Sequence, residues 1–141
     1  MDPLVAEREV MLRTETSVMH IEGLDARLLH AILGIGDETG ELIKLVKDKL
    51  YYNKQISLVS IIEELGDMLW YFTLAADALA NNMGIDFEET CKMIVNANRE
   101  KLKARYPDKY TNSAAINRDV GHEQNILKQV VDERNQDEST S

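Results

Sequence analysis

Apolar residues recur every three or four positions along most of the chain, the spacing of one face of an α-helix. They seldom alternate as they would along a strand. Leu28, Ile32, Ile35, Leu42, Leu45 and Val46 fall on one face and predict a helix over residues 25–50. Gly34, Gly36 and Gly40 interrupt it; each glycine costs roughly 1 kcal/mol against alanine inside a helix. Three so close together point to tight backbone packing. The stretch YYNKQIS that follows is a polar connection, and Ser57 is placed to cap a helix over residues 58–82. That helix is apolar round most of its circumference. Leu58, Ile62, Leu65, Leu69, Phe72 and Ala76 make one face, and Ile61, Met68, Ala75 and Leu79 widen it, the pattern of a helix covered on several sides.

Gly84 closes this helix, Asp86 caps another over residues 87–105, and Pro107 stops it. At the start of the chain, Asp2-Pro3 reads as a cap and first turn. Leu4, Val5, Val10, Met11 and Val18 form a loose stripe that extends a first helix to about residue 20. Near the end, YTNSAAINRDVGHEQ reads as loop, Ile126, Leu127, Val130 and Val131 support a short amphipathic helix, and DERNQDESTS reads as disordered. The expected organisation is an all-α helical bundle of four to five helices over residues 1–116. Residues 117–141 follow as a loop, short helix and acidic tail.

Composition narrows the function. A chain of 141 residues with 44% hydrophobic content builds one modest core. With Cys91 alone, no internal disulfide forms, and Cys91 reads as a small, partly buried helix residue. No signal-peptide pattern or bilayer-length apolar run is visible, which gives the expectation of a cytoplasmic protein. The net charge of −9 repels nucleic acid and anionic membranes as principal partners. A small anionic ligand remains compatible if a cation or a few lysines neutralise it.

Two acidic pairs share a spacing. Glu38 and Glu41 form E-x-x-E inside GDETGEL, and Glu64 and Asp67 form E-x-x-D inside EELGDMLWY. Residues three apart share a helix face, so each pair presents two carboxylates together. In projection Glu38 falls within the arc of Ile35, Leu42 and Val46, with Glu41 near its edge. Asp67 projects between Glu63 and Glu64, on the side that carries Ser60, Tyr71 and the edge of Trp70. Carboxylates gathered on inward faces repel one another and need protons, bases or cations. Mg²⁺, with Mn²⁺ as a substitute, takes oxygen ligands together with water and phosphates, and answers that need. A di-iron carboxylate bundle asks for Glu-x-x-His instead, and neither His20, His30 nor His122 has that spacing. GIGDETG lacks the G-K-[ST] ending of a phosphate loop.

Taken with NREKLKARYP, these segments resemble the MazG-like family of all-α nucleoside triphosphate pyrophosphohydrolases, over roughly residues 28–110. The family pattern is E-E-x-x-E, then E-x-x-D, then N-x-x-K-L-x-x-R-Y-P; Asp37 stands where its first Glu is common. The resemblance implies Mg²⁺ bound by Glu38, Glu41, Glu64 and Asp67, with Asn98 and Lys101 near the nucleotide. It gives Arg105 either a phosphate or a role in closing the bundle. It implies conversion of a (d)NTP, dGTP or dCTP among the candidates, and water to (d)NMP and pyrophosphate. It also implies a homodimer or homotetramer. Lys44, Lys47 and Lys54 could hold phosphates or be solvated, and Trp70 and Tyr71 could face a base, although core packing is the ordinary role on such a helix. A different nucleotide phosphohydrolase and a helical protein-interaction module remain open alternatives.

Overall fold

The computed structural model describes residues 3–14 and 25–137, and these form six helices and no strand. In order they are α1 (Pro3–Thr14), α2 (Ala26–Tyr52), α3 (Leu58–Met83), α4 (Phe87–Arg105), α5 (Asn112–Ile116) and α6 (Val120–Asp137). The all-α expectation holds. The expected cap at Asp2 and the continuation of the first helix over 15–20, with Val18 and His20, lie outside the described residues.

Local chemistry sets the helix ends. Asp25 accepts from the backbone N–H groups of Arg27 at 2.7 Å and Leu28 at 2.9 Å, which starts α2. Asn53, left-handed at φ 51°, ends it, a conformation asparagine tolerates better than most residues. Ser57 accepts from Ser60 N–H and starts α3, and Gly84 at φ 69° ends it. Its N–H bonds back to Asn81 while that of Ile85 bonds to Ala80. Asp86 accepts from Glu89 N–H and starts α4.

The five-residue connection folds α3 back along α2. Contacts run Arg27 to Asp77, Gly34 to Tyr71 and Glu38 to Asp67: as one number rises the other falls, so the two helices are antiparallel. α4 packs against α3, and α6 against α4. Helices approach closely where residues are small, and the buried apolar residues among those described are Ala31, Ala76, Ala78 and Ala80. Gly34 belongs with them, because a Cβ there would fall inside the Tyr71 ring. The close packing expected at three glycines holds only at Gly34; a Cβ at Gly36 or Gly40 would meet nothing within 4 Å.

The wide apolar surface of α3 is only partly covered within the chain. Ile61, Met68, Ala75 and Leu79 are half-buried, whereas Leu58, Ile62, Leu65, Leu69 and Phe72 are exposed, Leu58 to 74%. On α2, Leu28, Ile35, Leu42 and Leu45 are half-buried, but Ile32 and Val46, expected on the same face, are exposed. Cys91 is half-buried, as expected.

The C-terminal region departs furthest from the pattern-based reading. The expected loop holds α5, capped by Thr111 accepting from Ala114 N–H, and the start of α6, where Asp119 accepts from His122 N–H. The expected short helix is 18 residues long and reaches Asp137, inside the segment read as disordered. A long-range ion pair supplies what periodicity did not show. Glu123, 4% exposed, receives two hydrogen bonds from Arg105, 2.7 Å from Nε and 2.6 Å from Nη2, and one of 2.8 Å from Arg118 Nη2.

Candidate metal centre and active site

The antiparallel register of α2 and α3 decides which acids meet. Glu38 comes opposite Glu64 and Asp67, and each offers a carboxylate oxygen within 4.8 Å of the others. Glu38 and Glu64 are half-buried and Asp67 is exposed. Among the described residues, no ion pair reaches any of the three. The consequence is electrostatic: burial, then the charges of Asp67 and Glu64, a hydrogen bond with Glu64 and the charge of Asp37 all raise the Glu38 pKa above its ordinary value.

A pocket of about 350 Å³ opens beside this cluster, lined by Glu38, Asp67, Trp70 and Tyr71. Trp70 and Tyr71 meet edge to face with ring centroids 5.0 Å apart, and the His30 ring stands 5.6 Å from Tyr71. Trp70 is 55% exposed, so it is a wall of the pocket and not a core residue.

The donors fit a hard divalent cation. All three are carboxylates, and opposite oxygens around an octahedral Mg²⁺ lie about 4.2 Å apart, twice the Mg–O distance. Neighbouring ligand oxygens lie about 3.0 Å apart, so small side-chain adjustments would bring the three oxygens into the range between these two spacings.

The model of the MazG nucleotide pyrophosphohydrolase domain matches residues 28–110. The chain belongs to that family. The match spans α2, α3 and α4 from Leu28 to Tyr110, and so contains the carboxylate cluster and its pocket. No curated protein and no solved structure gave a significant match. Membership agrees with the resemblance carried by GDETGEL, EELGDMLWY and NREKLKARYP.

Other residues singled out in the sequence stand apart from the cluster. Glu41 is exposed and pairs with Lys44 at 3.2 Å; Lys54 pairs with Asp48 at 2.8 Å and lies over the Tyr52 ring. Lys47 is exposed. Asn98 is exposed and Lys101 half-buried on α4, and neither lines the carboxylate pocket. Arg105 pairs with Glu123 at 2.6 Å, which ties α4 to α6. That partner is 18 residues away, a separation no local pattern marks. His30, which lacks ligand spacing in the sequence, is exposed and stands beside Tyr71.

Proposed function

We propose that the protein hydrolyses nucleoside triphosphates with Mg²⁺, releasing a nucleoside monophosphate and pyrophosphate. One observation carries the reading: in a MazG-family chain, three carboxylates from two helices converge, and among the described residues no basic partner neutralises them. Glu38, Glu64 and Asp67 would hold the cation, and Mn²⁺ has the same preference for oxygen and would substitute. Bound there, the metal supplies charge neutralisation on the phosphates and lowers the pKa of the attacking water.

The chain's own contribution is placement. α2 and α3 hold the acids in register, Gly34 sets their distance by admitting Tyr71, and the aromatic pair shields one side of the pocket. Glu41 joins as a fourth carboxylate by leaving Lys44, an exposed i,i+3 pair of the kind worth about 0.3–0.5 kcal/mol. Whichever of Glu41 and Glu63 is not fully used as a ligand would orient the water or take its proton.

Two or more copies are needed to cover the apolar face of α3, where Leu58, Ile62 and Leu65 are exposed. A homodimer or homotetramer would do so, and light scattering on a sized sample that found only monomer would remove this part of the reading. Among the described residues no helix is long and apolar enough to cross a membrane. The hydrolase reading is tested by incubating the protein with each NTP and dNTP, dGTP and dCTP included, with Mg²⁺ or with chelator. Anion exchange should separate monophosphate and pyrophosphate from the metal-containing samples only; release of single phosphate would point to a different nucleotide phosphohydrolase.

A further inference from the structure

Where the carboxylate pocket ends at Trp70, a larger cleft begins on the same helix. It holds about 650 Å³, and its lining includes Gly66, Trp70, Leu74, Phe87, Arg27 and Asp77. Gly66 immediately precedes Asp67, so the two spaces are one residue apart along α3 and share the Trp70 ring as a wall. A Cβ at Gly66 would meet nothing within 4 Å, which leaves the floor of the cleft open.

A nucleobase has two apolar faces and one polar edge, and a site for it needs flat apolar walls with a few fixed polar groups at one end. Trp70, Leu74 and Phe87 provide the walls. Arg27 and Asp77 provide the polar end, joined by a 2.7 Å ion pair from Nη2 to Oδ2. Asn81 donates to the same Oδ2 at 3.4 Å. Among the described residues, no hydrogen bond engages Oδ1. An ionised carboxylate only accepts, so this oxygen suits an N–H donor and opposes a carbonyl.

We infer that this cleft receives the base of the nucleotide and that Asp77, oriented by Arg27, selects bases bearing an exocyclic amino group over uracil and thymine. The inference rests on the nucleotide-hydrolase reading above. Cytosine, adenine and guanine each carry an amino donor for Oδ1, while uracil and thymine place a carbonyl where cytosine has its amino group. These two offer only a ring N3–H, flanked on both sides by carbonyls that the carboxylate repels. Arg27 has further N–H groups for a ring nitrogen or carbonyl beside it.

Trp70 is the chain's one tryptophan, so its fluorescence reports occupancy of the cleft without any need for turnover. The full chain, in chelator, is titrated with deoxycytidine, deoxyuridine, deoxyguanosine and deoxyinosine, and turnover of dCTP and dUTP with Mg²⁺ is measured alongside. The amino-bearing member of each nucleoside pair should bind about tenfold more tightly, the scale of one hydrogen bond to a charged group. Asp77→Asn, whose amide can also donate, should bring both ratios close to one. Equal binding of deoxycytidine and deoxyuridine by the unaltered protein would overturn the inference, as would ratios that Asp77→Asn leaves unchanged. Selective binding by a protein that hydrolyses neither triphosphate would uphold the cleft and remove the hydrolase reading. Hydrolysis of dCTP and dUTP at equal kcat/KM without selective binding would do the opposite.

Discussion

Two regions of the molecule bring carboxylates in from solvent, and they treat them in opposite ways. Between α4 and α6, Glu123 is held by two guanidiniums, and its pKa falls to about 2, chiefly through the hydrogen bonds from Arg105 and Arg118. Between α2 and α3, Glu38 meets Glu64 and Asp67 with no base among the described residues, and its pKa rises. The first arrangement is electrically complete and ties one helix to another. The second has no such partner among the described residues, and like charges gathered at a partly buried site cost free energy. Burial alone therefore does not set these two acids apart; what differs is whether a base among the described residues stands beside them.

Substitutions in the two regions should separate them. Asp67→Asn and Glu64→Gln should each lower turnover by about 10²–10³-fold, the scale of removing one electrostatic contact to a transition state. Their melting temperatures in chelator should equal or exceed that of the unaltered protein, because a repulsion has gone. Glu123→Gln should do the reverse: melting several degrees lower, with turnover per folded molecule within about twofold. A Glu123→Gln protein that lost turnover but not stability would break the comparison.

Gly34→Ala sharpens the hairpin side. The added methyl group meets the Tyr71 ring and should destabilise the protein by about 1–3 kcal/mol in a denaturant titration, as overpacking does. Glu41→Gln should raise the Mg²⁺ concentration for half-maximal activity about tenfold; an unchanged metal requirement would exclude Glu41 as a fourth ligand.

The smallest expected effect is in pH dependence, where the two acids carry opposite signs. Glu38 has a raised pKa in the metal-free fold, so its contribution favours folding below the ordinary 4.5 and is lost as pH rises through the raised value. Glu123 has a lowered one, so its contribution is present above 4.5 and is lost as pH falls toward about 2. Acid titrations of Glu38→Gln and Glu123→Gln in chelator should each remove one of these two components.

Much of this was legible in the sequence because it is local. Asp25, Ser57, Gly84 and Asp86 mark helix ends through contacts within a few residues, and α2, α3 and α4 begin and end within two residues of the positions read from them. The inward turn of Glu38 followed from helical projection, and the meeting of Glu38 with Glu64 and Asp67 followed from two helices joined by a short connection. What was not legible depends on distant partners. α6 owes its place to the pairing of Glu123 with Arg105, and the two sit in segments with weak apolar periodicity. The Arg27–Asp77 pair spans the length of the hairpin and has no signature in either helix alone. Trp70 looked like core because α3 is apolar all round, but the chain by itself covers only part of that surface.

The central claim is the proposal that a divalent cation completes Glu38, Glu64 and Asp67, with which no base among the described residues pairs. Calorimetric titration of Mn²⁺ into metal-free protein, beside the same titration into Glu64→Gln, tests it directly. Saturable binding by the first that is lost or weakened at least tenfold in the second is the predicted result. Equal affinity in both, or none in either, would contradict it.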